Sequence, residues 1–414
     1  MSGTLVLVMP FRQYVVKARQ EGFRVCSIWD PKLESPQYLR EVAEGSDEFV
    51  LTDFSDEPAF RRVLADAVHS NDARWLHHAG REDSMLTAYE VAERLGRAAN
   101  PTSSVRLLND KQAMRELLAE HGVSPVRYAS VGHWRDVAGV LGRFTLPVVI
   151  KPTALAGSRG VLLLRDRREL SEWGRLLESY RYDGPVLVEE YLRGQEYSVE
   201  TMSFDGSHTV VGITRKELGI PPLFVELGHV HPAPLPSAMR SAMESLTVAL
   251  LRLAGYRNGP AHTEIIWTGD GPRLVESQAR LGGDRIFRLV ELATGVDIER
   301  AMFTVLAGRR PDLSPRRDRV ARISYFQFRP GVLESVSGLD EVAALPFVHD
   351  LHFPFAPGDL LPPVRDSKSR HGYVILTGDT HAAATAHLNQ IRTLLQTTIT
   401  TPLPRRVARF DSHV

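Results

Sequence analysis

Near the N-terminus, short apolar runs alternate with amphipathic stretches in which apolar residues recur at helical spacing. The apolar runs predict strands at residues 4–10, 23–29, 48–52 and 73–77. The amphipathic stretches predict helices at residues 13–20, 58–67 and 85–96. Because strands that alternate with helices pair in parallel, residues 1–105 are predicted to form an α/β domain with a parallel sheet. No G-x-G-x-x-G sequence follows the first strand, so a dinucleotide fingerprint is absent.

The pattern changes after this domain. Residues 101–104, Pro-Thr-Ser-Ser, have the composition of a linker or turn. Asp110 then precedes an amphipathic stretch at residues 111–121, and Gly122 ends the helix that this stretch predicts. The next domain is therefore expected to begin near residue 106.

A strand, a loop of small residues and a second strand follow. The first strand is predicted at residues 144–152 and carries Lys151 near its end; the second is predicted at residues 161–164. The small residues between them can form a flap whose backbone N–H groups hold phosphate, and the lysine favours this interpretation. Glycine and serine by themselves are as typical of an ordinary hairpin loop.

An acidic segment separates the next two predicted strands. A strand at residues 185–188 leads into Glu189-Glu190-Tyr191-Leu192-Arg193-Gly194-Gln195-Glu196 and a further strand. Strand, short connection and strand are typical of an interdomain hinge, although the segment alone is also compatible with an exposed acidic loop. Helices are predicted farther on, at residues 237–255 and 284–293.

Two glutamates bracket a predicted β-hairpin. Glu264 lies in the first apolar run and Glu276 in the second, with Thr268-Gly269-Asp270-Gly271-Pro272 as the connection. Carboxylates on neighbouring strands can face one another and share a divalent cation, and Mg²⁺ prefers one or two carboxylates together with phosphate oxygens. Arg280, just downstream, can contact a transferring phosphoryl group or a developing oxyanion. The hairpin therefore predicts a nucleotide–metal site.

The C-terminal part of the chain has a different composition. A charged, proline-containing stretch at residues 309–319 predicts a domain boundary. Beyond it lie β-rich stretches at residues 320–328 and 373–377, a proline-rich loop at 353–363 and a predicted helix at 381–396. Residues 311–414 are therefore expected to form a β-rich subdomain.

The composition of the chain excludes several classes of function. Basic and acidic residues number 50 each, so neither a nucleic-acid-binding surface nor an acidic tail is predicted. The single cysteine, Cys26, lies in an apolar run and is predicted to be a buried apolar side chain, which excludes an internal disulfide and a cysteine-rich zinc site. The apolar N-terminal run is too short for a signal sequence and no run reaches transmembrane length, so a cytoplasmic protein without membrane contact is expected.

The order of these features resembles the ATP-grasp superfamily over roughly residues 106–305. The resemblance implies a lid subdomain at residues 106–185 and a catalytic subdomain at 186–310, with the nucleotide between two α+β units. It also implies ATP and Mg²⁺ as cofactors, with Mn²⁺ as a substitute, and activation of a carboxylate as an acyl phosphate that an amine attacks. Many members are dimers, so a homodimer is compatible with the resemblance.

The resemblance also implies roles for individual residues. Lys111 and Lys151 match phosphate-binding lysines, although Lys111 by itself is equally compatible with a solvated lysine at a helix start. The stretch Ala156–Gly160, with Gly157, Ser158 and Gly160, matches the flap. Glu189 and Leu192 match the hinge, and Glu196 matches the ribose contact. Glu190 is expected to point away from Glu189 by strand alternation.

At the metal site the chain departs from the family pattern. Glu264 and Glu276 match the Mg²⁺ ligands, and Arg280 matches the arginine of the E-x-N-x-R run. Gln278 stands where asparagine usually completes the site. Glutamine keeps the amide oxygen but adds a methylene, so one of two metal positions is expected to be altered or weaker.

Within the superfamily the chain resembles the L-amino-acid ligases, which are bacterial dipeptide synthetases. The residues that carry this resemblance are Thr214-Arg215-Lys216-Glu217, then Glu226-Leu227-Gly228-His229, then Arg280-Leu281-Gly282-Gly283-Asp284. It implies that Glu226 holds a substrate ammonium and that His229 orients or deprotonates the attacking amine, against the alternative of a structural loop histidine. Gly282 and Gly283 are expected to let backbone N–H groups approach the substrate beside Arg280. His231 and His262 are expected to be structural or supporting residues.

The function predicted from the sequence is therefore ATP-dependent joining of a carboxylate to an amine, both expected to be amino acids, with release of ADP and phosphate. One alternative is another ATP-grasp ligase, of the carboxylase or purine-pathway type, which shares the nucleotide site but not the Glu226–His229 segment. The other is a nucleotide-binding regulatory protein without turnover, which the charged residues at the predicted site disfavour.

Overall fold

The computed structural model describes residues 2–80, 84–155, 157–219 and 224–400. Its N-terminal domain has a parallel sheet in the order β3-β2-β1-β4, as the alternating pattern predicts. The elements are β1 (Gly3–Val8), α1 (Arg12–Gln20), β2 (Phe23–Trp29), α2 (Pro36–Gly45), β3 (Glu48–Leu51), α3 (Glu57–Ser70), β4 (Ala73–His78) and α4 (Met85–Arg94). Cys26 is buried in β2, which confirms the prediction for this residue.

Two parts of this region differ from the sequence prediction. Helix α2 was not predicted; Ser35 caps it by accepting a hydrogen bond from the Tyr38 N–H, and Pro36 begins it. The predicted linker at residues 101–104 is wrong, because α5 (Thr102–Asn109) begins directly after Pro101. A proline at a helix start is compatible with the helix, since the first N–H groups have no intrahelical partner in any case.

The lid is a small antiparallel sheet in the order β5-β8-β6-β7. Its elements are α6 (Lys111–Glu120), β5 (Tyr128–Val131), α7 (Val137–Val140), β6 (Val148–Pro152), β7 (Leu162–Leu164), α8 (Leu170–Ser179) and β8 (Val186–Glu190). Val148 and Ile150 pack with Trp173 of α8 on one face of this sheet. Since side chains alternate along a strand, Val149 and Lys151 point to the opposite face, toward the rest of the molecule.

A long antiparallel sheet forms the centre of the molecule, in the order β13-β12-β9-β10-β11-β14-β18-β16. Its first part comprises β9 (Gly194–Phe204), β10 (Ser207–Leu218), β11 (Glu226–His231), α9 (Ser237–Leu253), β12 (Gly259–Thr268), β13 (Gly271–Gln278), α10 (Ile286–Thr294) and α11 (Ile298–Leu306). The remainder comprises β14 (Val320–Tyr325), β15 (Gly331–Ser337), α12 (Leu339–Ala343), β16 (Val348–His352), β17 (Leu360–Leu361), β18 (Tyr373–Gly378), α13 (His381–Leu394) and β19 (Gln396–Thr400).

The C-terminal region is β-rich, as predicted, and it does not stand apart from the catalytic unit. β14 pairs with β11, and β18 and β16 extend the same sheet beyond it. Among the described C-terminal strands, only β17, β15 and β19 lie outside the long sheet, in a small sheet of their own. Strands from both sides of the predicted boundary at residues 309–319 therefore share one hydrogen-bonded sheet.

The two faces of the long sheet have different chemistry. On β9, Tyr197 and Val199 pack into the apolar cluster that includes Met243 and Leu250 of α9. The intervening positions, Glu196, Ser198 and Glu200, point to the other face because side chains alternate along a strand. This second face is polar, and it lies across a cleft from the lid.

In the part of the chain that the structure describes, no helix has the length and apolar character needed to cross a membrane.

Candidate active site

The cleft between the lid and the polar face of the long sheet collects most of the predicted site residues. Those that line it are Lys111, Lys151, Gly157, Ser158, Glu189, Leu192, Glu196, Glu226, His229, Glu264, Glu276, Gln278, Arg280 and Gly283. Its empty volume of about 1420 Å³ includes space open to solvent.

The hairpin β12–β13 places its two glutamates directly opposite each other, as the sequence predicted. Glu264 and Glu276 are register partners, and a β-bulge follows at Val275. The Glu264 Oε1 lies 2.6 Å from Lys216 Nζ, and the Glu276 Oε2 lies 3.3 Å from Lys111 Nζ. The carboxylates therefore share one face of the sheet, and each already faces a cation.

Gln278 lies on the same face, two residues after Glu276. Its amide Nε2 donates a hydrogen bond of 3.1 Å to Glu276 Oε1. In this arrangement the glutamine supports a metal-type carboxylate from the side. Its own role as a ligand remains a prediction.

The lysines predicted to contact phosphate both enter the cleft. The Lys111 side chain is 11% exposed, which rules out the alternative of a solvated lysine at a helix start. Lys151 Nζ lies 2.7 Å from Glu189 Oε2 and donates to the carbonyl of the bulged residue Val275 at 3.4 Å. One lysine comes from α6 and the other from β6, so two separate elements bring cations to the hairpin.

Glu189, the predicted hinge glutamate, is buried between two cations. Its Oε1 accepts a hydrogen bond of 2.8 Å from Arg115 Nε, and its Oε2 faces Lys151. Burial favours the neutral carboxyl group, but the Arg115 and Lys151 charges outweigh it and hold the pKa of Glu189 below its ordinary value. Arg115 is not predicted as a site residue, because its contact with Glu189 joins residues 74 positions apart in the chain. The carboxylate of Glu190 instead accepts a hydrogen bond from the Arg127 N–H, at 2.8 Å.

A buried lysine that belongs to one of the motifs carrying the resemblance, but for which no role was predicted, lies at the centre of the cleft. Lys216 Nζ lies 2.6 Å from Glu196, 2.6 Å from Glu264 and 3.5 Å from Glu226. Burial opposes the charge, but the three carboxylates outweigh it and raise the pKa of Lys216 well above its ordinary value. Burial raises the pKa of Glu196, while the charge of Lys216 helps to hold the pKa of Glu264 low against the effect of burial. Lys216 therefore joins the predicted ribose, metal and substrate carboxylates into one ionic cluster.

His262 supports the metal-type carboxylate from behind, as expected for a supporting residue. Its Nδ1 lies 2.7 Å from Glu200 Oε1 and its Nε2 lies 3.3 Å from Glu264 Oε1. Burial alone would lower the pKa of His262, but the two carboxylates outweigh it and raise the pKa to about 10. The imidazole is therefore a buried cation near neutral pH.

Two predicted glycines lie outside the cleft lining, and the structure gives each a packing reason. A Cβ on Gly282 would lie 2.8 Å from His262 Nδ1 and 2.9 Å from Glu200 Oε2. Gly160 has a φ of +72°, and a Cβ there would lie 2.7 Å from Leu177. By contrast, Gly283 lines the cleft and has open space at its Cβ position. The predicted backbone contacts of Gly160 and Gly282 with ligands remain predictions.

Glu226 and His229 point to the same face of the sheet because of a bulge. In a regular strand, residues three apart point to opposite faces. Here Lys216 pairs with His229 and Leu218 with Glu226, so Leu227 is bulged and both side chains enter the cleft. Gly228 packs closely on β14, where a Cβ would lie 2.6 Å from the Ile323 carbonyl oxygen. His231 is buried and bonded to Thr214 at 3.0 Å, as expected for a structural histidine.

His229 reaches the cleft through Asp284. Its Nε2 lies 3.0 Å from Asp284 Oδ2, and its Nδ1 is buried without a hydrogen-bond partner. Asp284 also receives both terminal nitrogens of Arg370, at 2.6 and 2.7 Å. Although burial opposes ionisation, the Arg370 and His229 contacts lower the pKa of Asp284 far below its ordinary value. Asp284 was quoted as part of a motif but was assigned no role, and Arg370 was not considered.

The C-terminal segment around residue 367 completes the cleft. Ser367 lines it and donates a hydrogen bond of 2.8 Å to Glu226 Oε2; Ser158 of the flap lies 3.5 Å from the same oxygen. The Ser367 N–H donates to the Gly157 carbonyl at 3.4 Å. The predicted flap is thus next to the substrate-type glutamate. Ala156, the first residue of that flap, lies outside the described residues.

The donor set fits a divalent cation held together with a nucleotide. Among the described residues no group of three or more histidine, cysteine, aspartate and glutamate side chains surrounds a common point. Mg²⁺ does not require such a group, since it is usually bound by one or two carboxylates plus phosphate oxygens and water. Glu264 and Glu276, opposite each other and flanked by Lys111 and Lys216, provide those two carboxylates.

Comparison with known protein families matches this architecture. Residues 144–287 match the model of the ATP-grasp domain. The chain belongs to the ATP-grasp family. This ATP-grasp chain also matches, at residues 324–400, the model of the L-amino acid ligase C-terminal domain 2. The cleft described above therefore lies in an ATP-grasp fold joined to a C-terminal domain that the L-amino acid ligases carry.

Individual relatives agree with this membership. The ATP-grasp chain is 34% identical over 286 residues to an uncharacterized protein of Sinorhizobium fredii, covering 68% of this chain and 59% of that protein. It is 26% identical to dapdiamide A synthase of Enterobacter agglomerans, covering 68% of this chain and 70% of the synthase. The crystal structure of an L-amino acid ligase from Bacillus licheniformis superposes with a TM-score of 0.81, covering 96% of this chain and 99% of that one, at 21% identity. This structural match to the Bacillus licheniformis ligase establishes the fold. The alignment with the Sinorhizobium protein spans less than two thirds of that relative.

Proposed function

We propose that this chain is an ADP-forming carbon–nitrogen ligase that activates a carboxylate with ATP as an acyl phosphate and joins it to an amine. The proposed substrates are two amino acids and the product is a dipeptide or related amide. Nucleotide, carboxylate and amine would occupy the cleft between the lid and the long sheet. Relatives with named activities are ligases, among them dapdiamide A synthase and alanine–anticapsin ligase.

One observation carries the proposal. Glu264 and Glu276 lie opposite each other in the register of β12 and β13, in the same cleft as Lys111 and Lys151. Lysines are suited to phosphate as compact cations, and paired carboxylates are suited to the metal that accompanies a nucleotide. Glu264 and Glu276 would hold Mg²⁺ there, and the metal would neutralise negative charge that develops on the phosphates.

Other side chains of the same cleft support an amino-acid site. Glu226 lies among hydroxyl groups and close to Lys216, and Asp284 lines the cleft a short distance away. Carboxylates can bind ammonium groups through charge-assisted hydrogen bonds. Arg280 and Gly283 line the same cleft, which supports their proposed role in stabilising the oxyanion that forms when an amine attacks an acyl phosphate.

The experiment is a grid of amino-acid pairs incubated with ATP and Mg²⁺, in which ADP, phosphate and amide product are measured together. The proposal expects at least one pair that gives product and phosphate in equal amounts. In Glu226→Ala, the KM of an amino-acid substrate should rise far more than the KM of ATP, because the lost carboxylate pairs with an ammonium group. Asp270→Ala, which changes an exposed carboxylate in the hairpin turn, is the control.

The two alternatives predict different results. A carboxylase would release phosphate only with bicarbonate, and a purine-pathway ligase only with a phosphoribosyl amine. A regulatory protein would bind ATP and release no phosphate with any pair. Either result would contradict the proposed reaction while leaving the ATP-grasp membership intact.

A further inference from the structure

The C-terminal loop at residues 365–371 contacts both sides of the cleft. Asp366 accepts a hydrogen bond from the Tyr180 hydroxyl of the lid at 3.3 Å, and the Ser367 N–H donates to the Gly157 carbonyl. On the side of the long sheet, Ser367 donates to Glu226 and Arg370 to Asp284. This loop lies within the region that matches the L-amino acid ligase C-terminal domain, outside the ATP-grasp match itself.

Arg370 donates its hydrogen bonds to acceptors within the protein. Its Nη1 and Nη2 form a bidentate pair with Asp284, its Nε donates to the Ser367 carbonyl at 2.8 Å, and its Nη1 also approaches the Glu226 carbonyl at 3.3 Å. The guanidinium carbon lies 3.5 Å from the centroid of the Tyr325 ring. The Arg370 side chain is 9% exposed. An arginine with its donors committed in this way acts on the substrate through the groups that it holds.

The groups that it holds are those that face the substrates. Asp284 lines the cleft with 21% of its side chain exposed, whereas the His229 side chain behind it is 1% exposed. With Nε2 directed at Asp284 and Nδ1 buried, the imidazole has no exposed nitrogen to offer an amine in this conformation. The bidentate Arg370 contact fixes the plane of the Asp284 carboxylate, and this carboxylate in turn selects the His229 tautomer with the proton on Nε2.

We propose that Arg370, assisted by Ser367, is a positioning residue of the substrate site, supplied by the C-terminal region. Arg370 fixes Asp284 and, through it, His229; Ser367 fixes Glu226. The expected effect on amide formation rests on the proposed ligase function. The expected effect on the His229 tautomer rests on geometry alone.

The kinetic test compares Arg370→Ala and Arg370→Lys with the wild type, using the best amino-acid pair from the grid. Amide formation should fall by roughly 10- to 100-fold, because supporting contacts of this kind usually have effects of that size. Phosphate release should fall less, so that the ratio of phosphate to amide rises above one as acyl phosphate is lost to water. ATP affinity by calorimetry should stay within about twofold, since Arg370 contacts no predicted nucleotide residue. Lysine should not restore coupling, because it cannot make the bidentate contact.

Lys368→Ala is the matched control, since it removes an exposed cation from the same loop. It should leave the ratio of phosphate to amide at the wild-type value. If Arg370→Ala lowers the unfolding midpoint and both rates equally with the ratio unchanged, Arg370 is only a structural residue and the inference is wrong. Full rescue by Arg370→Lys would also contradict it.

A second measurement does not depend on ligase activity. The ¹⁵N spectrum of the imidazoles, with His229 assigned through His229→Gln, reports the tautomer of His229 directly. The wild type and Lys368→Ala should show the proton on Nε2, and Arg370→Ala should show a mixture of tautomers. An unchanged spectrum in Arg370→Ala overturns the inference even if no amino-acid pair gives product, whereas a changed spectrum without product would count only against the proposed reaction.

Discussion

Lys216 shows how one buried side chain holds several functional groups in place. Its ammonium group lies between Glu196, Glu226 and Glu264, and its side chain is only 3% exposed. Like-charged carboxylates this close together would repel one another without the cation. The positions of the predicted ribose, substrate and metal carboxylates therefore depend on a lysine that has none of those roles itself.

Replacing this lysine should destabilise the protein strongly. Lys216→Met keeps most of the apolar stem but leaves three buried carboxylates without their shared partner. Breaking a buried ion pair from one side costs about 3–5 kcal/mol, so a loss of this size is expected in the free energy of unfolding. Urea denaturation measures it, with Lys368→Met as the exposed control. The loss should shrink as the pH falls and the carboxylates become protonated; a loss independent of pH would contradict the ionic account.

Glu276 should be required for turnover. Glu276→Gln keeps the size of the side chain and removes the negative charge opposite Glu264, so ATP turnover should fall by roughly 100-fold or more. The measurement is phosphate release at saturating Mg²⁺, and Asp270→Asn in the same hairpin is the control. Near-wild-type phosphate release in Glu276→Gln, with an unchanged unfolding midpoint, would show that the metal assignment is wrong.

His262 gives the stability a defined pH dependence. Its pKa is raised to about 10 in the folded protein from an ordinary 6.5, so the folded state binds the proton more tightly than the unfolded state. The stabilisation is therefore fully present below about pH 6.5 and is lost as the pH rises through about 10. The difference in unfolding free energy between wild type and His262→Gln should shrink across this range. His69→Gln, on the exposed end of α3, should show no such trend; a difference that grows with pH would have the wrong sign.

At the scale of elements, irregularities in the strands decide which side chains meet. The bulge at Leu227 brings Glu226 and His229 to one face, and the bulge at Val275 leaves a carbonyl free to accept from Lys151. Both bulges lie beside the cleft, where an unpaired residue redirects its neighbours. Gly228 then allows β11 to lie close to β14.

A side chain at Gly228 should therefore disturb the substrate site through the strand. In Gly228→Ala the new Cβ would lie 2.6 Å from the Ile323 carbonyl oxygen, so β11 has to shift. We expect a loss of about 1–3 kcal/mol in unfolding free energy. We also expect a higher KM for the amino-acid substrate, with ATP affinity unchanged. Gly269→Ala, whose Cβ position is open, is the control. Equal effects of the two variants would show that close packing at Gly228 does not support the substrate site.

At the scale of the whole molecule, the long sheet joins parts of the chain that the sequence pattern separates. β14, β18 and β16 continue the sheet that carries Lys216, Glu264 and Glu276. The predicted boundary near residue 310 remains a prediction for the division into domains. The hydrogen bonds between β11 and β14 cross it all the same.

Removing the C-terminal region should expose a strand edge. A chain ending at Arg310 would lack β14 and leave β11 with unpaired backbone groups along one side, together with apolar surface such as Val230. Exposed edges of this kind pair with other chains. Size-exclusion chromatography should show aggregation of this fragment at concentrations where the full chain elutes as a defined species. A soluble, monomeric fragment with a cooperative unfolding transition would show that the two parts fold independently.

The sequence by itself determined the class of fold, the order of the units and most of the charged residues that line the cleft. The fold class follows from local properties, namely the strand and helix periods of the first hundred residues and the turn at residues 268–272. Most of the site residues follow from the resemblance to the ATP-grasp superfamily. The spacing of Glu264 and Glu276 is also local, because a hairpin pairs residues close in the chain. The sequence order therefore supported the ATP-grasp assignment before any contact was known.

Only the tertiary structure decided which charges are partners. Arg115 meets Glu189, Lys216 meets Glu264, and Arg370 meets Asp284, each across a large separation along the chain. Such contacts depend on strand order, on bulges that change the facing of side chains, and on how the lid and the C-terminal loop pack. None of these leaves a periodic signal in the sequence. For the same reason the directions of the pKa shifts, which arise from burial together with distant charges, became visible only in the folded molecule.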